Sequence, residues 1–191
     1  MNTGETDAGS LTSTDPMSTT TIRYARRDEL PALASLARRV WRIHYPGIIT
    51  EGQIDYMLDR GYAIPTLEAE LDAGIAFPLL WSDGKLVGLA SFGPGGQPGE
   101  VKLHKLYLDP DFHRRGLGQQ LLNWIETEAS GHGFKRIILQ VNKQNAKAIA
   151  AYRRRGFTVR TSLVVDIGQG YLMDDYLMEK DIPAGLPPNQ P

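Results

Sequence analysis

Apolar positions along the first third of the chain recur at helical spacing, and beyond about residue 75 the spacing shortens to that of strands. In "DELPALASLARRVWRIHY" (28–45), Leu30, Leu33, Ala37, Val40, Trp41 and His44 fall on one helical stripe. Asp28 is the predicted cap, and Pro31 sits in the first turn, where its missing N–H is tolerated. A short strand, Ile22–Ala25, is predicted ahead of this helix. "PGIITEGQIDYML" restarts a helix, with Thr50 and Gln53 at capping-box spacing. A third short helix over Thr66–Ala73 stops at Gly74.

"AFPLLW" and "KLVGLASF" then read as strands around Ser82-Asp83-Gly84, a hairpin turn signal. "GPGGQPG" (Gly93–Gly99) is a loop, and "EVKLHKLYL" the next strand. A helix over Arg115–Ser130, the apolar strand "RIILQV" and the helix in "NAKAIAAYRRRGF" follow. "TVRTSLVVDI" and "YLMDDYLMEK" end the pattern as two strands. The order β-α-α-α-β-β-β-α-β-α-β-β has a strand-helix-strand unit in its middle, which makes two strands parallel through a crossover. The predicted class is mixed α/β (α+β): a mostly antiparallel central sheet of about seven strands, helices on both faces. There is no internal repeat.

Composition narrows the chemistry. With 191 residues and a net charge of −1, one domain with a sizeable core is expected, with no global pull toward nucleic acid or anionic membrane. The chain has no cysteine, which excludes disulfides, thiolate metal sites and a cysteine acyl-enzyme. Histidines 44, 104, 113 and 132 lack metal-ligand spacing, so no metal is expected. Residues 1–19, rich in Ser and Thr, are predicted to be a disordered tail, with Met17 an alternative start; 20–182 form the domain and 183–191 a proline-rich tail. The first 22 residues hold no Lys or Arg and no apolar run, so they are not a signal peptide, and the expected location is the cytoplasm.

The densest local signal is "DPDFHRRGLGQQLLNWIE" (109–126), where two cations and two glycines lead into an amphipathic helix. Unpaired N–H groups and the dipole at a helix start favour an anion, and glycine lets it approach. A P-loop needs Lys-Ser or Lys-Thr after its last glycine, which is missing. A dinucleotide loop needs a third glycine, where Leu121 stands.

"LYLDPDFHRRGLGQQLL" instead resembles motif A of the GNAT superfamily of acetyl-CoA-dependent N-acetyltransferases, through Leu108-Asp109-Pro110 and then His113-Arg114-Arg115-Gly116-Leu117-Gly118. His113 departs from the usual Gln or Arg. "IILQVNKQNAKAIAAYRRRGF" resembles motif B, with Asn145, Ala148, Tyr152, Gly156 and Phe157 in its places. The resemblance spans roughly residues 20–181.

The resemblance implies acetyl-CoA as co-substrate, lying where the parallel strands splay. Its pyrophosphate would rest on the amides of 113–118, with Gln119 beside them, and Arg114 and Arg115 would add field. Pantetheine would pair like a strand with Leu106, Tyr107 and Leu108. Asn145 would bond the cofactor beside Ala148, and Tyr152 would protonate the leaving thiolate. Seven residues separate Asn145 from Tyr152, which puts them on one helix face. The family's frequent glutamate base falls on Lys102, leaving His104, Glu100 or a water to take the amine proton. For the acceptor pocket the candidates are Trp41, His44, Tyr45, Tyr56, Asp174 and Asp175. The implied activity is acetyl transfer to a primary amine of a small molecule or peptide, without nucleic-acid or membrane partners; a homodimer is compatible with it. Lys102 at the base position keeps open a catalytically inactive acetyl-CoA sensor.

Overall fold

The computed structural model describes residues 19–187 and Asn189. All twelve predicted elements are present in the predicted order, joined by two short 3₁₀ turns. Strand β1 (Thr20–Tyr24) leads into helices α1 (Leu30–His44), α2 (Glu51–Gly61) and α3 (Ile64–Asp72). Strands β2 (Pro78–Ser82), β3 (Lys85–Pro94) and β4 (Glu100–Leu108) follow, then α4 (Leu117–Gly131), β5 (Arg136–Asn142) and α5 (Ala146–Arg154). The hairpin of β6 (Thr158–Gly168) and β7 (Tyr171–Asp181) closes the fold. The tail expected over 1–19 lies, apart from Thr19, outside the described residues. In the C-terminal stretch Leu186 packs against the core, and the Asn189 amide donates to Trp124 O at 2.9 Å and to Glu128 at 2.8 Å.

The local signals act as the sequence suggests. Thr50 Oγ1 accepts from Gln53 N at 3.2 Å and caps α2. Asp83 and Gly84 both have positive φ, 50° and 75°, the pairing a two-residue hairpin needs to match strand twist. The start of α1 departs from expectation. Glu29 holds the entry instead of Asp28: its carboxylate accepts from Arg26 N at 2.9 Å and from Arg23 at 2.6 and 2.8 Å. The Arg23 guanidinium brings Glu29 down to about 2 despite its burial.

One seven-stranded sheet runs in the order β1-β2-β3-β4-β5-β7-β6, and only β4 and β5 are parallel. On one face α4 and α5 cover a core that includes Leu80, Phe92, Leu121, Ile125, Leu139, Phe157 and Met178. On the other, α1–α3 bury Leu33, Ala37, Leu58, Leu67, Phe77, Leu79 and Leu89. Helix α4 packs through Leu117, Leu121, Leu122, Ile125 and Ala129, the stripe of a one-sided helix. No described helix is long and apolar enough to cross a membrane.

Two irregularities create the cleft. Opposite β3, Ser91 pairs with Lys105 but Phe92 pairs with Leu103, so His104 is an extra, unpaired residue and β4 bulges there. The parallel pairing of β4 with β5 ends at Leu103↔Leu139, one residue before that bulge. Beyond it β4 pairs with β3 alone, and one edge of its backbone from Lys105 to Leu108 faces the gap.

Candidate active site

The gap has a helix-start end, an aromatic wall and a charged floor. At the first, Arg114 and Gly116 have φ of 63° and 76°, and Gly116 is the N-cap of α4. Successive residues in this region turn their N–H groups toward one concave surface, where the first-turn amides of α4 add theirs. A Cβ on Gly116 or Gly118 would meet nothing within 4 Å, so the loop opens onto free space. Amides exposed at a helix start of this kind favour an anionic group. The Arg115 guanidinium stacks over Phe112 at 4.8 Å, which fixes its stem, while Arg114 is exposed. His113 Nε2 lies 3.3 Å from Leu108 O and ties the loop to the end of β4. Leu117 is buried beneath the loop, and Gln119 is exposed in the first turn of α4.

The free edge of Leu106, Tyr107 and Leu108 leads from this cradle along the gap. On the far side, α5 begins at Asn145, whose buried side chain accepts from Ala148 N at 3.2 Å and also interacts with the His44 ring. Asn145 is thus a helix cap as well as a cleft residue. Burial holds His44 below its usual range. One face-length along α5, Tyr152 packs edge-on against Phe157 with ring centroids 5.4 Å apart. Burial pushes its hydroxyl up to about 12, which keeps it protonated and able to donate at neutral pH.

The wall comes from α1, α2 and β4. Trp41 stacks on Tyr45 at 4.2 Å, and lies 5.9 Å from Tyr62 and 6.0 Å from Tyr107. Burial raises all three tyrosine hydroxyls, and each feels the next: Tyr45 feels Tyr107, and Tyr107 feels Tyr62. Tyr45 and Tyr107 also feel Tyr152, which joins the wall to the α5 side of the gap. Tyr62 was not anticipated from sequence. It follows the last residue of α2 and has no periodic or motif signal around it. Tyr56 is elsewhere: its hydroxyl donates to Ile167 O at 2.5 Å and anchors α2 to the β6–β7 hairpin.

The floor carries the charges. Lys102 donates to Gln140 at 2.7 Å across the parallel pair, and burial lowers its ammonium while Asp175 supports it. Burial, reinforced by Lys102 and Lys105, drops His104 to about 4, so the ring is neutral at pH 7 but a weak proton acceptor. Glu100 is engaged away from the gap, held by Arg160, with Arg136 at 3.9 Å. Asp174 and Asp175 lie within β7, where Asp175 pairs with Asn142 at the end of β5. Asp174 bonds Lys143 at the rim. Asp175 is 5% exposed, and its Oδ1 has no hydrogen-bond partner. Among the described residues no group of three or more acids and histidines is placed to hold a metal.

Comparison with known proteins agrees with this geometry. A family model described as the acetyltransferase (GNAT) family matches residues 33–157. An uncharacterized N-acetyltransferase of Mycobacterium tuberculosis is 27% identical over 151 residues, covering 78% of this chain and 96% of the relative. A spermidine N(1)-acetyltransferase of Thermoplasma acidophilum is 27% identical over 164 residues, covering 83% and 95%. The crystal structure of a PaiA N-acetyltransferase from Thermoplasma acidophilum in complex with coenzyme A superposes with a TM-score of 0.72 at 25% identity, covering 85% of this chain and 99% of that one. The chain belongs to the acetyltransferase (GNAT) family and is an N-acetyltransferase.

Proposed function

We propose that the protein transfers an acetyl group from acetyl-CoA to a primary amine of a small molecule or peptide by direct attack, with Tyr152 as the acid that protonates the departing sulfur. The observation that carries this reading is the gap after Leu103 and Leu139, with an open helix-start cradle at one end and the half-buried, protonated Tyr152 on its α5 side. In this reading acetyl-CoA supplies the activated acyl group. The amides of 113–118 hold its pyrophosphate, each charge-assisted N–H bond contributing about 1.5–3 kcal/mol. The backbone of Leu106, Tyr107 and Leu108 pairs with the pantetheine arm, and Asn145 positions it beside Ala148. Trp41, His44, Tyr45 and Asp175 form the acceptor side. An aromatic wall next to a carboxylate suits a cationic amine, which would shed its water against the rings. That spermidine is the acceptor of the Thermoplasma relative is in keeping with a cationic acceptor here.

The absence of cysteine makes the test simple, because thiol release from acetyl-CoA has no background from the protein. Incubation with spermidine, other amines, amino acids and peptides is expected to give turnover above hydrolysis with at least one acceptor. Tyr152→Phe is expected to lower kcat by about 10²–10⁴-fold while leaving acetyl-CoA affinity within about threefold. Tight acetyl-CoA binding with no acceptor turnover would instead favour the sensor reading, for which Lys102 in the floor argues.

A further inference from the structure

Acetyl transfer by direct attack leaves one step without an assigned group. An aliphatic amine enters as an ammonium and must lose a proton before its nitrogen can attack. Around the gap, Glu100 is committed to Arg160 and Arg136, and Asp174 to Lys143. Lys102 is a cation bonded to Gln140. His104 stands at the bulge, flanked by Lys102 and Lys105, which oppose its taking a further positive charge.

Asp175 differs from all of these. It is buried, it has a carboxylate oxygen with no partner, and its charge is felt by the Tyr45 hydroxyl of the aromatic wall. An unsatisfied acceptor in a closed site costs stability, so a fold that keeps one has left room for a donor. We propose that the Asp175 carboxylate, through its unpartnered Oδ1, takes the proton from the incoming ammonium. This rests on the direct-attack reading. Asp175 accepts one ammonium proton, and the nitrogen forms the N–C bond to the acetyl carbon. As the C–S bond breaks, Tyr152 gives its proton to sulfur and regains one from the nitrogen, and Asp175 passes its proton to solvent.

The groups facing Asp175 set its working range. Burial and then Asp174 raise it, and Lys102 on β4 and Lys143 after β5 pull it back, for a value of about 6. Tyr45 at the end of α1 remains neutral there. Asp175 is therefore mostly ionised at pH 7–8, yet a far better acceptor than an exposed aspartate.

The experiment is a kcat and kcat/KM profile from pH 5 to 9 with acetyl-CoA and spermidine, repeated with the best amine of the panel above. Wild type is expected to show an acidic limb near pH 6. Asp175→Asn is expected to lose about 10²–10⁴-fold in kcat and lose that limb, with the acetyl-CoA KM within about threefold, and Asp175→Glu to recover part of the rate. A melting curve confirms that each variant is folded. If the Asn variant keeps kcat and only the amine KM rises, Asp175 holds the amine and the proposal is overturned. A limb that survives in Asp175→Asn and vanishes in His104→Ala overturns it equally. Wild type that acetylates no amine defeats the direct-attack reading, and this inference with it.

Discussion

Glu100 and Asp175 are buried to nearly the same degree, 4% and 5% exposed, and the same sheet treats them in opposite ways. Glu100 sits at the start of β4, where Arg160 clasps it and Glu179 together, and Arg136 reaches Glu179 at 3.6 Å and Asp181 at 2.9 Å. Every charge there has an opposite within reach. Asp175, at the opposite end of the β5–β7 ladder from those guanidinium groups, faces two lysines that are each already bonded elsewhere, and one of its oxygens bonds nothing. A buried acid surrounded by arginines is part of the frame, because removing it strands its partners. A buried acid left short of donors is poised for something that arrives later.

The contrast breaks most visibly at Glu100. Glu100→Gln keeps the volume but removes one of the two carboxylates that Arg160 holds. It is expected to cost about 2–4 kcal/mol, the lower end reflecting the partial exposure of the Arg160 side chain, and to leave kcat of the folded fraction near wild type. Urea unfolding with parallel kinetics checks both halves. Asp175→Asn should have the opposite sign. A carboxyl raised to about 6 in the fold makes stability fall as pH rises from its unfolded value of 3.8 through 6. The Asn variant therefore melts higher than wild type at pH 8, by about 2–4 °C for each kcal/mol relieved, and the difference vanishes below pH 4. Melting curves at both pH values test it. A finer adjustment is Lys102→Met, which removes a cation that favours the Asp175 carboxylate; the acidic limb of kcat/KM is expected to rise by about 0.5–1 unit.

Element type and order were legible because the signals are local: caps at Thr50 and Asn145, positive-φ residues at Asp83 and Gly84, an apolar stripe on α4. The cradle at 113–118 was legible for the same reason. Strand placement was not. By composition "TVRTSLVVDI" looks interior and the acid-rich "YLMDDYLMEK" looks peripheral, yet β7 lies inside and β6 forms the edge, with Val164 62% exposed. Asp174, Glu179 and Asp181 of β7 are accommodated by Lys143, Arg136 and Arg160, partners distant in sequence. The bulge at His104 depends on β3, and the isolation of Asp175 depends on where every neighbouring cation has gone. Neither property belongs to a residue or its near neighbours in the chain.

The gap between β4 and β5 has a further consequence for how occupancy is read. A strand with one edge open in the middle of a sheet has amide hydrogens that water can exchange while their counterparts facing β3 are locked. A co-substrate that pairs with that edge would slow exchange at a few residues of β4 with little change in shape. It would also raise the melting temperature by simple mass action, so the thermal midpoint would rise with occupancy of that edge. The missing rungs of this sheet would then make the protein's stability a report on what fills them.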